Sequence, residues 1–294
     1  MQRATRIPIA GIHSPVYHVN DTSSTLDLAA ALLADTTTVT PHLTTIIADR
    51  QSAGRGRLGR TWTTPDGQAL LASTIVSLPT SFPTEMLGWL VHACALSVRD
   101  ALSLRLSPLG RTVSLKWPND VLVDGARKIC GILAQLAPAS SPFTTSAILG
   151  YGINIAQDRD HLATPQATSL YAEGDTEAGA DPTSVSHTLL AQILTGLDSR
   201  IQGLVTHGNA RDCGLADEAA NALPLLGTRI ALAKPTDPNG HPAMEGVALG
   251  LSPTGSLVVA TDDGRTHDIN AGDVLATGIP LTTVHDTKEK RANN

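Results

Sequence analysis

Residues 51 to 67 hold four glycines, three arginines and a tryptophan in seventeen positions, with Gln51, Gly54, Arg55, Gly56, Arg57, Gly59, Arg60 and Trp62 in its first twelve. Glycine lets a backbone pass close to a ligand, and arginine offers a planar fork of donors matched to phosphate or carboxylate. The stretch reads as an anion-holding loop, with a surface turn of solvated arginines as the plain alternative. Gly54, Gly56 and Gly59 also fit G-x-G-x-x-G. That dinucleotide fingerprint needs a helix directly after the third glycine, and Thr61-Trp62-Thr63-Thr64-Pro65-Asp66-Gly67 follows instead, so it is rejected.

A second block runs Lys116-Trp117-Pro118-Asn119-Asp120, then Asp124-Gly125, then Lys128-Ile129-Cys130-Gly131-Ile132-Leu133. Asp-Gly between apolar, β-branched runs predicts a hairpin. It folds Lys128 back beside Asn119 and Asp120, and Gly131 lets a ligand approach the returning strand. A solvated turn lysine is the ordinary alternative. In the third block, Leu149-Gly150-Tyr151-Gly152-Ile153-Asn154, two glycines weaken an apolar strand unless something passes close by. No Walker A, H-E-x-x-H, G-x-S-x-G or C-x-x-C pattern occurs. What remains is a cluster of cations without an evident nucleophile, suited to charge neutralisation and positioning.

The elements that position these blocks follow from periodicity. Leu43–Asp49 and Ala69–Ser77 read as strands, which makes the arginine loop a strand-to-strand connection on a sheet edge. Ser24 and Asp27 are spaced as a capping box before a helix through Asp35, so Ser24 and Thr25 either only cap it or also present donors to a ligand. Glu85 to about Leu106 and Val185–Val205 are amphipathic helices, and His92 on the first reads as structural. Thr112–Lys116 and Thr145–Ile155 are strands. Residues 156 to 183 read as loop, interrupted by Ala167-Thr168-Ser169-Leu170. After about Asn221, short alternating strands broken by Gly-containing turns predict a small β-barrel. The expected class is α+β: a mixed β-sheet flanked by helices over 1–220, a small C-terminal β-barrel over 221–280, and a disordered tail over 281–294.

The chain has 294 residues and a formal net charge of −6, which argues against a nucleic-acid partner. Three cysteines, Cys94, Cys130 and Cys213, are an odd number without pair spacing and fit a reducing cytoplasm. No apolar leader or 18-residue apolar run occurs, so a soluble, cytoplasmic protein with no membrane partner is expected.

With Gly-Arg-Gly-Arg, Lys-Trp-Pro-Asn-Asp, Lys-x-x-Gly-Ile-Leu and Gly-x-Gly-Ile-Asn in that order, the chain resembles the biotin protein ligases from about Ser23 to Gly278. The resemblance implies a class II synthetase-like catalytic domain with a terminal barrel. It implies formation of biotinyl-5′-AMP from biotin and ATP, with Mg²⁺, and then transfer of biotin to a lysine of a biotin carboxyl carrier protein. It places Ser24, Thr25, Gln51, Gly54 and Gly131 at biotin, with Arg55 and Lys128. Arg57, Arg60, Trp62, Asn119 and Asn154 fall at the nucleotide, where Trp62 stacks on adenine unless it only packs in the core. Lys128, Arg55, Arg57 and Asp120 are the catalytic set, and Asp120 also serves a metal held through phosphates. The arginine loop is expected to be mobile when empty and to order over the adenylate. About twenty residues before Ser23 are too few for the winged helix-turn-helix of repressor members, so no operator binding is expected, and a homodimer is compatible. Leu26 and Gln135 depart from the family's usual Asn and Glu. Lipoate or octanoate ligation, or a non-catalytic regulatory role through the barrel, are the competing readings.

Overall fold

In the computed structural model, residues 4–35, 37, 39–141, 144–233 and 242–277 are described. The expected tail, 281–294, lies outside them. The chain divides into two units, Met1–Pro224 with Pro253–Gly255, and Leu225–Ser252 with Ser256–Asn294.

The larger unit begins with β1 (Thr5–Ile7), β2 (Val16–Thr22), α1 (Thr25–Ala34) and β3 (Thr45–Gln51). β2 and β3 are parallel neighbours, and Thr22 pairs with Gln51. Parallel strands bring their C-terminal ends together, so the start of α1 and the start of the arginine loop meet at one point. Ser24 caps α1, its Oγ accepting from Leu26 N at 3.3 Å.

β4 (Ala69–Pro79) runs antiparallel to β3, and α2 (Gly88–Leu106) follows. Then come β5 (Val113–Lys116), β6 (Asp120–Val123), β7 (Arg127–Ser141) and β8 (Thr144–Asn154). They complete an eight-stranded mixed sheet in the order β1-β2-β3-β4-β8-β7-β6-β5. The arginine loop therefore joins two interior strands. The expected sheet-edge position is corrected by β1 and β2, whose short polar strands lengthen the sheet beyond β3.

α3 (Thr176–Ala180), α4 (Pro182–His207) and α5 (Leu215–Ala222) finish the unit. Pro182 sits in the first turn of α4, Asp181 caps it, and Gly208 in the left-handed region ends it. α2 and α4 pack on each other and close one sheet face, with Leu90, Leu96, Leu102 and Leu106 of α2 fully buried. Each such side chain contributes about 1.5–3 kcal/mol by leaving water. α1 lies against β3, β4, β7 and β8 on the other face, where Leu26, Ala29, Leu33, Ile46, Ile75 and Ile148 form a small core.

The smaller unit contains β9 (Arg229–Ala233), β10 (Pro242–Leu251), β11 (Leu257–Ala260), β12 (Thr266–Ile269) and β13 (Asp273–Thr277). They form an antiparallel sheet in the order β12-β11-β10-β9-β13. Register shifts at Ala248/Gly250, Pro242/Met244 and Val274/Ala276 curl it. Among the described residues no pairing joins β12 to β13 to close a barrel.

Candidate active site

The three sequence blocks converge on the α1 face of the sheet. Gly131 of β7 and Gly152 of β8 are cross-strand partners, and Gly150 lies two residues along β8 on the same face. A Cβ at Gly152 would stand 2.6 Å from Trp62 Nε1, and one at Gly131 3.2 Å from both Trp62 Cζ3 and Lys128 Nζ. At Gly150 it would meet Leu26 at 2.9 Å. The glycines thus form a flat floor that only residues without a side chain can provide, with Trp62 and Leu26 lying on it.

Lys128 reaches this face through a bulge. Asp120 pairs with Gly131 and Val121 with Cys130, but Leu122 pairs with Lys128, leaving Ile129 as the extra residue. In an unbroken strand, residues three apart point to opposite faces; one bulge puts Lys128 and Gly131 on the same one. The Asp124-Gly125 turn has φ of 50° and 67°, matching the twist of a tight hairpin. Lys128 Nζ stands 2.7 Å from Asp120 Oδ1 and 5.6 Å from the Trp62 ring centroid. The Asp120 contact is an ion pair by distance without hydrogen-bond alignment.

The arginine loop is closed on itself. Gly56 N donates to Arg60 O at 2.7 Å and Trp62 N to Gly54 O at 2.9 Å. A side chain at Gly54 would collide with the Trp62 carbonyl. Arg55 pairs with Asp27 of α1. Asp27 therefore engages the loop from the third position after the cap. Arg57 Nη1 donates to Asn119 Oδ1 at 3.2 Å, and Asn119 Nδ2 donates to Ile132 O at 2.6 Å. The loop is thereby tied to the Lys-Trp-Pro-Asn-Asp turn. Arg60 is exposed.

At the end of the floor nearer α1, Gln51 Oε1 accepts from Thr25 N at 2.7 Å and from Thr25 Oγ1 at 3.1 Å, and Ser73 Oγ donates to Thr25 Oγ1 at 2.8 Å. Sequence reading missed Ser73, one hydroxyl in an apolar strand. Ser24 is buried beside this group. Asn154 is turned inward. Its Nδ2 donates to Thr168 O at 2.9 Å, and its Oδ1 accepts from Gln157 Nε2 at 3.2 Å, so its amide serves the segment after β8.

Trp62 Nε1 is buried without a hydrogen-bond partner, an orphan that a ligand or a ring movement could satisfy. Neither buried cysteine of this domain offers a thiolate. Cys130 is fully buried, and burial, with neighbouring Cys94, lifts its thiol well above the ordinary range, while Cys94 itself is pushed up to about 12. Both stay protonated and unreactive. Among the described residues no three His, Cys, Asp or Glu groups gather as a metal site.

The sequence matches the biotin/lipoate A/B protein ligase family over residues 21–154 and the biotin protein ligase C-terminal domain over residues 236–275. It is 34% identical over 230 residues to a biotin–[acetyl-CoA-carboxylase] ligase of Mycobacterium tuberculosis, spanning 78% of this chain and 77% of that protein. A biotin–[acetyl-CoA-carboxylase] ligase of Paracoccus denitrificans is 31% identical over 224 residues, spanning 75% of this chain and 85% of its own. The solved biotin protein ligase from Aquifex aeolicus in complex with biotin and ATP is similar with a TM-score of 0.61 at 25% identity, over 90% of this chain and 99% of that one. A glycine floor, a lysine brought to it by a bulge and an arginine loop above it thus stand in a chain that belongs to the biotin–[acetyl-CoA-carboxylase] ligase family.

Proposed function

We infer that this protein is a biotin protein ligase that joins biotin to ATP as biotinyl-5′-AMP and then passes biotin to a lysine of a biotin carboxyl carrier protein of the acetyl-CoA carboxylase type. The observation that carries the reading is Lys128 Nζ beside the Gly131–Gly152 floor, with the ring of Trp62 lying on that floor. In the first step a carboxylate oxygen of biotin attacks the α-phosphorus of ATP, the bond to the β-phosphate oxygen breaks, and pyrophosphate leaves. Two anions must approach, so fixed cations at the junction lower the barrier. Lys128 takes that place, and Asp120 aims it. Arg55 and Arg57 neutralise carboxylate and phosphate, and Arg60 faces the departing pyrophosphate.

Thr25, Gln51 and Ser73, with buried Ser24, form the polar end that suits the ureido ring, and the floor from Gly150 to Gly131 suits the aliphatic chain. Trp62 stacks on the adenine side, where its orphaned Nε1 gains a partner, and Asn119 borders the nucleotide. In the second step the carrier lysine amine attacks the acyl carbon, the acyl–phosphate bond breaks, and AMP leaves as the amine loses a proton. Asp120 is already paired with Lys128, so the donor set fits Mg²⁺ only as an ion carried mainly by the phosphates. Such an ion supplies charge neutralisation there. The net charge of −6 disfavours a nucleic-acid partner, and the free cysteines fit the reducing cytoplasm. Among the described residues no helix is long and apolar enough to cross a membrane.

Exchange of labelled pyrophosphate into ATP, run with biotin, lipoate and octanoate separately, tests the reading. Exchange with biotin alone is expected. Exchange with lipoate or octanoate would move the protein to the neighbouring activity, and none with any acid would leave it a binding protein.

A further inference from the structure

Glu173 is a carboxylate with no exposed side-chain surface, away from the glycine floor, in the short turn Tyr171–Glu173. Its Oε1 accepts from Arg127 Nε at 2.6 Å and from Thr168 Oγ1 at 2.6 Å. Its Oε2 accepts from Arg127 Nη2 at 2.9 Å, and Arg111 Nε lies 3.1 Å away. Arg127 also reaches Asp124 of the hairpin turn at 2.6 Å. Burial alone would lift the Glu173 carboxyl, but the hydrogen bonds of Arg127 and Thr168 and the nearby Arg127 and Arg111 charges outweigh it and hold it below the usual range. Glu173 is ionised at neutral pH.

Two of the residues that hold Glu173 adjoin Lys128: Thr168 also bonds its backbone, and Arg127 is its neighbour in the chain. Arg127 precedes Lys128 on β7. The pairing of β7 with β8 stops at Cys130–Ile153, so β8 no longer supports the strand at Lys128. There the segment at Ala167 takes over as a one-residue parallel bridge. Lys128 N donates to Gln166 O at 2.7 Å, and Thr168 N donates to Lys128 O at 2.8 Å. Asn154 ties Thr168 O back to the end of β8. Opposite, the bulge at Ile129 loosens the pairing with β6 next to Lys128.

We propose that Glu173 is a positioning residue: by clamping Arg127 and the Thr168 side chain it fixes the backbone at Lys128, and with it the place of Nζ over the glycine floor. The proposal rests on the reading of Lys128 as the cation at the carboxylate–phosphate junction. It gives the segment 166–173 a catalytic purpose. A misplacement of about 1 Å at a charge acting in the transition state costs up to about a hundredfold in rate while leaving ground-state binding intact.

A second buried ion pair in the same region provides the control. Arg105 meets Asp175 at 2.5 and 2.9 Å, with both side chains largely buried, and neither holds the Lys128 backbone. The test measures kcat and KM of biotin-dependent pyrophosphate exchange, together with thermal unfolding, for E173Q, T168V, D175N and K128A. E173Q is expected to lower kcat about tenfold or more with KM for biotin and ATP within about twofold, and T168V to lower it in the same sense by less. D175N is expected to lower the unfolding temperature yet keep kcat per folded molecule. A wild-type kcat in E173Q, a loss confined to KM, or an equal kcat loss in D175N would overturn the proposal. Should E173Q not fold, T168V decides, and a wild-type kcat there would overturn it. Full exchange in K128A would overturn instead the role of Lys128, separating that failure from a failure of Glu173.

Discussion

On β8, Leu149, Tyr151 and Ile153 point to one face of the sheet and Gly150 and Gly152 to the other, and the two sets meet different neighbours. The first three are buried on the face closed by α2 and α4. The glycines meet one leucine of α1 and one indole from a loop. The same strand thus contributes to stability on one side, through close-packed apolar volume, and offers a bare floor on the other. A packed face tolerates little change in volume. The glycine floor tolerates no side chain at Gly152, because the Trp62 ring lies directly over it.

Breaking the functional face is expected to have the largest effect. Lys128→Ala should lower biotin-dependent pyrophosphate exchange by about a hundredfold to a thousandfold, the scale of losing a preorganised charge at a reacting centre. The unfolding temperature should stay near that of the parent, since Lys128 is partly exposed. Gly152→Ala should follow, at about tenfold to a hundredfold, because its Cβ would drive the Trp62 indole off the floor. Exchange rates at saturating biotin and ATP check both.

On the packed face the comparison reverses. Leu149→Ala should reduce stability by about 2–5 kcal/mol in denaturant unfolding while the exchange rate per folded molecule stays unchanged. The smallest expected effect is pH-dependent. Desolvation raises the carboxyls of Glu173 and Asp175, but their arginine partners and hydrogen bonds outweigh it and lower both in the folded state. Their contribution is present above the ordinary carboxylate range, at about pH 4 to 4.5, and is lost as pH falls through the lowered folded values. Unfolding measured from neutral to acid pH should therefore show a fall in stability that E173Q and D175N each make shallower.

Much of this arrangement was legible in the chain, and the gaps have physical causes. The Asp124-Gly125 hairpin, the strands around the arginine loop and the two long helices follow from turn chemistry and periodicity, and the structure places Lys128 beside Asp120. The three-residue spacing of Lys128 and Gly131 was readable only as a motif, because strand alternation predicts opposite faces and the bulge at Ile129 leaves no local signature. β2, Val16-Tyr17-His18-Val19-Asn20-Asp21-Thr22, carries too many polar residues to read as a strand, although its pairing with β3 fixes where Thr25 and Gln51 meet. Glu173 was invisible, since its arginine partners Arg127 and Arg111 lie far back in the chain, Arg127 by 46 positions. Ala167-Thr168-Ser169-Leu170 was read only as an interruption of a loop, and Thr168, Ser169 and Leu170 are fully buried.

The central claim is that the glycine face, and not the helix-covered one, receives biotin and ATP under the arginine loop. Amide hydrogen exchange read by mass spectrometry, with and without biotin plus ATP, tests it most directly. Slowed exchange in peptides spanning 51–67 and 127–133, with α2 and α4 unchanged, is the predicted result. Unchanged exchange in both of those peptides under saturating ligands, or protection on α2 and α4 instead, would contradict it.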